Sequence, residues 1–495
     1  MYNVSRKEEI AIHVCVHYMY ICEGDETVAV EERLLAVTDT NETTGEALSK
    51  HLLDCLAKHG LGVQDIVGQG YDGGSNMRGA SKGVQARIKQ LNAMALFTHC
   101  FAHNLNRALV NAACDSSTAD ARNFFGIIEL VQTFVQGSAS RHGYFIEQQK
   151  KLNEQEVPLH LVGLSDTRWN CRASSLRRLC NEKVFRAVIA TVEHVSLTTT
   201  DGSVRGTAAG TITSITTFKF LLSLHALTPV LEAINNVSEF LQSPNIDILL
   251  AQQQIQALCS ELRRMRSNDT WESAVLRAQS MAQRLNLDSE MPPERERKVS
   301  RRLDANIANA AVMSPLERMK VNFYFPVMDK LVIELEECFP AELQDFAFLD
   351  PKHFGAMDAE LRVRRLASRY KMLDGKTGSY TDLDVDKAVS QWRLAHSFIQ
   401  KGSSLADIYS ALPKSYTELL FLYKVLITLP VTTASVERSF SKLALVKSKL
   451  RSTMGQARLE ALMLSSVEPD LLLNLNDSTL VDSFAAKADR KMLLA

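Results

Sequence analysis

The 495-residue chain contains nine cysteines, yet no two of them form a C-x-x-C pair. That spacing fits reduced thiols better than a disulfide framework or a cysteine-rich zinc finger. Long hydrophobic runs are missing as well. The longest, LLFLYKVLITLP, is interrupted by Lys424 and falls short of the ~20 apolar residues of a membrane span, so no membrane partner is expected. Neither sign of charge is in excess, with 56 Lys and Arg against 57 Asp and Glu and a net charge of −1. Nothing in that balance draws the whole molecule toward nucleic acid, and any DNA contact must come from local patches. Internal repeats and low-complexity tracts are absent. The opening residues, MYNVSRKEEIAIHVCV, lack the basic, then apolar, then small-residue order of a secretory signal, and an intracellular protein is expected.

What is present reads as a folded chain. Hydrophobic residues make up 46% and charged residues 23%, with a mean hydropathy of −0.08, and the length suits about two to four domains. From Glu9, EIAIHVCVHYMY places Ile10, Ile12, Val14 and Val16 at period two, and TVAVEERLLAV repeats the pattern after a Gly-Asp turn. The pair predicts a hairpin. Leu48, Leu52, Leu53 and Leu56 then recur at helical spacing. DIVGQGYD reads as a short buried strand, a helix is predicted from about Lys82 to Leu91, and ALFTHC reads as a further strand. Strands alternating with helices predict a mixed α/β sheet. From about Phe101 nearly everything to Val467 has the 3.6-residue period of helix, with a strand signal only at VPLHLVGL, Val157 to Leu164. LDSEMPPERERKVSRRLD, Leu287 to Asp304, reads as an exposed linker. Its Arg295, Arg297, Lys298, Arg301 and Arg302 are at most a weak nuclear-import signal, with a solvated loop the plainer reading.

Four short stretches carry candidate chemistry. In GYDGGSNMRGASKG, Asp72 falls at the C-terminal end of a predicted strand, where open α/β sheets expose reactive groups. It suits a metal-binding carboxylate or, more simply, a turn. The P-loop pattern fails there, because Gly79 is followed by Ala80 and Ser81. HCFAHNLNRAL sets Cys100 and His103 at C-x-x-H spacing, but no second pair completes a zinc site, so both read as core polar groups, with His99 and Asn104 as further lining of a polar cleft. SDTRWNCR joins Asp166 and Arg168 to Trp169, one of three tryptophans, which can stack on an exposed base or sit in a core.

The fourth stretch is LPVTTASVERSFSKLALVKSKLRSTM. Thr432, Thr433 and Ser435 are candidate helix caps, and Val436, Phe440, Leu443, Val446 and Leu450 form one apolar stripe. Arg438, Lys442 and Lys449 lie on another face, suited to phosphates, and Glu437 sits off the stripe near the helix start. A surface glutamate favouring the helix dipole is the simple reading of Glu437.

Together, VSRKEEIAIHVCV, GYDGGSNMRGASKGVQARI, THCFAHNLNRAL, SDTRWNCR and LPVTTASVERSFSKLALVKSKLRSTMGQARLEAL resemble the hAT superfamily of DNA transposases and their domesticated derivatives, most closely the group related to MYM-type zinc-finger proteins. The resemblance implies an RNase H-like mixed-sheet core interrupted by a large helical insertion. Its expected divisions are a core over 1–170, a helical insertion over 171–404, a dimerisation region over 405–474 that completes the core, and a tail over 475–495. In such enzymes two aspartates and a glutamate hold divalent metal. Asp72 matches the second aspartate and Glu437 the glutamate, with Mg²⁺ as the cofactor of an active enzyme. Trp169 matches the residue that stabilises a flipped base, with Arg168 beside it, and Cys100 and His103 match the family's C-x-x-H. The stripe from Val436 to Leu450 would serve self-association into a homodimer or higher oligomer, and Arg168, Arg438, Lys442 and Lys449 would touch DNA. The resemblance also implies a nuclear location.

The departures shape the expected function. The first aspartate of relatives precedes the segment at Val4 and Ser5, and Asp25 and Asp39 lie too far along to replace it. The N-terminal zinc finger of relatives is not in these 495 residues either. The expectation is a transposase-derived protein that dimerises without transposase activity. Its alternatives are a fragment of an active Mg²⁺-dependent transposase and a domesticated DNA-binding transcriptional regulator.

Overall fold

The structure is a computed structural model that describes residues 2–4, 10–21, 28–114, 119–152, 155–163, 170–243, 246–292, 313–337, 341–374, 378–397, 399, 403–447 and 454–486. Two compact units emerge, one of Met1–Phe101, Pro244–Ala251 and Pro340–Ala495, the other of Ala102–Ser243 and Gln252–Phe339. The α/β unit is thus assembled from both ends of the chain. Its boundaries depart from those expected at 170/171 and 404/405. The helices following Ala102 pack among themselves, and those following Pro340 lead back to the strands. The charged segment from Leu287 falls inside the helical unit's range rather than between units; its Leu287–Pro292 portion has no regular structure, and Arg295 to Arg302 lie outside the described residues.

In the α/β unit, β1 (Tyr2–Val4), β2 (Ile10–Ile21) and β3 (Val28–Thr40) form an antiparallel sheet in that order. The predicted hairpin is β2 and β3, paired from Ile10↔Thr40 to Ile21↔Val28. A bulge interrupts the ladder, because Val14 faces Ala36 while Cys15 faces Leu34, leaving Leu35 as the extra residue. The insertion switches side-chain parity along β3. Leu34 and Val37 therefore pack against Leu459 and Met463 on one face, while Ala36 joins Val14 and Cys55 on the other. The first face is covered by the Ala434–Val446 and Gln456–Val467 helices, the second by the Gly45–Lys58 helix. Three layers result.

β4 (Gly68–Tyr71) and β5 (Leu96–His99) form a separate parallel pair. The expected mixed sheet is consequently in two pieces, a three-stranded antiparallel sheet and a two-stranded parallel one. A third pair, β6 (Lys371–Leu373) and β7 (Tyr380–Asp382), lies in a stretch whose periodicity reads as helix throughout. Strands of three residues are too short to register at period two.

The helical unit centres on the Phe218–Leu241 helix, which buries 15 of its residues and is apolar on every side, as a core helix must be. Pro229 withholds one backbone donor from it. The carbonyl of His225 that loses this partner lies 3.5 Å from Nη2 of Arg277. No single helix among the described residues is long and apolar enough to cross a membrane.

The strand predicted at VPLHLVGL is not formed over Val157–Gly163. Side-chain amides take the place of a neighbouring strand there. Gln149 accepts from Leu159 N–H and donates to its carbonyl, both at 2.9 Å, and Gln136 donates to Leu161. The backbone is satisfied without a ladder.

Candidate functional site

Asp72 directly follows β4, as the sequence predicts, and is half-buried. Its Oδ1 accepts the Gly74 N–H at 3.2 Å, the geometry of an Asx turn. The glycines that follow serve close packing rather than a phosphate. A Cβ on Gly83 would lie 2.4 Å from the Gly79 nitrogen, so the loop closes on itself only with glycine there.

Glu437 sits in the first turn of the Ala434–Val446 helix and is exposed, its N–H bonded to Thr433 O at 3.0 Å. A chain of hydrogen bonds links the two acids' elements. Cys100 N–H donates to Tyr71 O at 3.2 Å, and Thr433 N–H donates to the Cys100 sulfur at 3.3 Å. Asp72 is one residue past Tyr71, and Glu437 one turn past Thr433. The fold therefore brings together carboxylate-bearing elements separated by more than 360 residues.

Further contacts fix this junction. Thr98 Oγ1 donates to Pro430 O at 2.6 Å and Phe101 N–H to Val431 O at 3.0 Å. Gly70 must remain without a side chain, since a Cβ would lie 2.9 Å from the Pro430 ring. Cys100 is 3% exposed and acts as a buried acceptor, consistent with the core role read from the sequence. His103, in the first turn of the Phe101–Cys114 helix, is half-buried.

Part of the apolar stripe of the Ala434–Val446 helix packs inside the unit. Val436 and Phe440 are 7% and 8% exposed, and Leu443 and Val446 pack into the cluster of Leu34, Val37, Leu459 and Met463. Phe440 stacks on His13 of β2 with ring centroids 3.9 Å apart. His13 Nδ1 bonds Ser439 Oγ, and that hydroxyl donates to Val436 O at 2.7 Å. The hydroxyl proton is thereby used, so Nδ1 carries the ring proton and Nε2 is a bare acceptor. Burial pushes the His13 pKa down to about 3. Sequence periodicity identified the stripe but not its partner, because His13 and Ser439 are 426 residues apart.

Arg438 and Lys442 are exposed on the same helix, Arg438 donating to Ser435 Oγ at 2.9 Å. Lys449 and Leu450 lie outside the described residues, as do Asp166, Arg168 and Trp169.

Beyond that helix, Glu468 is a feature that sequence reading missed. Its carboxylate accepts from Leu34 N–H at 2.8 Å and from Arg33 at 2.7 Å, and Arg33 also holds Asp470 at 2.7 Å. The backbone donor sits at the β3 bulge. Glu468→Ala should cost about 1.5–3 kcal/mol, the usual range for hydrogen bonds to a charged group. Urea unfolding would show a lowered midpoint, and amide exchange in Gln456–Val467 would accelerate; an unchanged midpoint would contradict this anchoring role.

Among the described residues, no group of three or more His, Cys, Asp or Glu side chains is placed to hold a metal ion. Asp72 and Glu437 supply two carboxylates and do not by themselves fit a two-metal centre. Residues 1–83 match the model of the ZMYM1/FAM200, RNase-like domain, and residues 394–471 match that of the hAT family C-terminal dimerisation region.

Proposed function

Starting from a chain that is hAT-transposase-derived and carries that family's dimerisation region, we propose that it works as a self-associating protein without strand-transfer activity. The observation that carries this reading is the state of two helices at and just past the matched region. Pro469–Leu473 and Asp477–Ala486 bury no residue at all, yet they present Leu471, Leu472, Leu473, Leu480 and Val481 at 44–83% exposure. Helices of 5 and 10 residues are too short to persist on propensity alone, and a run of exposed leucines marks a surface made to be covered. A second copy of the same surface satisfies both needs through a two-fold contact.

The test is the mass in solution. The chain should run at twice its 55.1 kDa at micromolar concentration. Leu473→Ser, Leu480→Ser and Val481→Ser combined should give a monomer with unchanged helicity. A monomeric parent, or a dimeric triple variant, would sink the reading.

The junction that carries Asp72 and Glu437 favours a second reading. If a third carboxylate is supplied there, Mg²⁺-dependent strand transfer becomes available, and Asp72→Ala would abolish cleavage while leaving the oligomer intact. A regulatory DNA-binding role would draw on Arg438 and Lys442, and its affinity would fall steeply between about 50 and 200 mM salt. Action on chromosomal DNA in either form would place the protein in the nucleus.

A further inference from the structure

Two histidines of the helical unit face each other. His142 Nε2 and His160 Nδ1 are 3.1 Å apart, and the rings lie within 18° of parallel with centroids 5.1 Å apart. Fixed backbone carries both. His142 is in the first turn of the Ala139–Leu152 helix, its N–H bonded to Ser138 O at 2.9 Å. His160 belongs to the Val157–Gly163 segment, which has no ladder of its own. Gln149, about two turns beyond His142 on the same helix face, holds both backbone groups of Leu159, and Gln136 holds the carbonyl of Leu161. His160 stands between these two anchors. Its exposed ring is thereby set against the half-buried His142.

As it stands, the contact is one N–H···N bond, with the proton on one ring and a lone pair on the other. Its span also suits a first-row transition metal. Imidazole nitrogens bind zinc at about 2.0–2.1 Å, so two on one ion lie roughly 2.9–3.4 Å apart for bond angles between square and tetrahedral. His142 and His160 already stand at that separation. A turn of the exposed His160 ring points both lone pairs at one ion, and the proton of the hydrogen bond moves to the far nitrogen of its ring. Each imidazole then stays neutral, with its proton on His142 Nδ1 or His160 Nε2. A pair of nitrogens does not suit Mg²⁺ or Ca²⁺, which take oxygen ligands, whereas imidazole suits Zn²⁺, Cu²⁺ and Ni²⁺. Among the described residues no third His, Cys, Asp or Glu completes the group, so water fills the remaining positions and the ion is exchangeable.

We propose that His142 and His160 form a two-histidine site for a divalent transition-metal ion, zinc in the first place, which clamps the Val157–Gly163 segment to the Ala139–Leu152 helix. Gln149 already ties that segment at Leu159; the ion adds a second tie on the same helix. Both nitrogens are available together only while the segment is docked, so the metal stabilises the docked state by mass action. The inference rests neither on self-association nor on Asp72 and Glu437.

The probe is Zn²⁺ alone, added to the full chain after treatment with a chelator. At ten times its dissociation constant, measured by competition with a chromophoric zinc indicator, it should slow amide exchange across Val157–Gly163 about tenfold, the factor that mass action gives. His160→Ala should abolish the slowing. His160→Phe, which keeps a flat ring against His142 but no nitrogen, should do the same. Because His160 is exposed, both variants should keep the melting temperature of the metal-free parent. His194→Ala, which removes a histidine stacked on Tyr144 of the same helix, should leave the slowing unchanged, and Mg²⁺ should produce none. Zinc binding without slower exchange in this segment, slowing that survives in His160→Phe, or equal slowing by Mg²⁺ would each overturn the proposal.

Discussion

Arg362→Ala combined with Arg365→Ala should destabilise the α/β unit by about 3–5 kcal/mol, the usual cost of stranding a buried charge. The carboxylate concerned is Asp345, 1% exposed. It accepts from Arg362 at 3.2 Å and from Arg365 Nε at 2.6 Å, with Arg365 Nη2 adding a second contact. The two guanidinium groups are 30% and 53% exposed, so either can rehydrate when freed, whereas Asp345 cannot. That asymmetry gives the prediction a distinctive form. Adding Asp345→Asn to the double variant should recover part of the loss, although it removes a further charge. Equilibrium urea unfolding reads both results; a double variant within about 1 kcal/mol of the parent would rule out a buried, ion-paired Asp345.

The hub matters beyond stability because of what it supports. Asp345 opens the Asp345–Leu349 turn, and Leu349 O accepts the buried Tyr423 hydroxyl at 2.6 Å. Tyr423 lies in the Thr417–Thr428 helix, which leads directly into Pro430 and Val431 beside β4 and β5. A remote ion pair thereby holds the segment that delivers Glu437. Loosening it should raise amide exchange at Val431 and Thr433 before global unfolding.

The second large effect is acid sensitivity beginning well above the carboxylate range. Burial holds His13 near a pKa of about 3 in the α/β unit and His225 near about 4 in the helical unit, and it lowers His17 as well. These rings are neutral when folded but take up protons near pH 6.5 when unfolded. Protonation therefore favours the unfolded chain, and stability falls as pH drops below 6.5, by up to about 1.4 kcal/mol per pH unit per histidine. For His13 alone the loss between pH 6.5 and 5 is about 2 kcal/mol. Glu32, raised by burial, acts in the opposite direction and offsets part of it. Denaturant unfolding at pH 7.5 and 5 should show the drop, and His13→Gln should lose clearly less than the parent. A flat profile in the parent would refute the buried neutral imidazole.

How much of this was legible in the sequence depended on how far each feature's partners lie along the chain. The β2–β3 hairpin, the change of character at Phe101 and the helix bearing Glu437 are local patterns, and they were read correctly. The stripe of Val436, Phe440, Leu443 and Val446 is legible as a period, but its contacts with β3 and the Gln456–Val467 helix are not. A stripe's period is the same whether it faces a second chain or its own sheet. VPLHLVGL alternates as a strand does, yet Gln149 and Gln136 occupy its backbone instead. Alternation reports burial on one side and not a ladder. The switch of parity at Leu35 and the Glu468 anchor depend on register and on residues hundreds apart, which no local period encodes. Asp72 fell where the strand pattern put it, at the end of β4.

The way the chain leaves the α/β unit at Ala102 and, apart from Pro244–Ala251, rejoins it only at Pro340 sets a schedule for the ribosome. His13 emerges early, while its partners Ser439 and Phe440 follow 426 and 427 positions later. At roughly 5–20 residues per second, the hairpin waits on the order of 20–90 seconds with one face uncovered. During that interval the intervening helical unit can form first, and the nascent hairpin is the segment that a chaperone would be expected to hold.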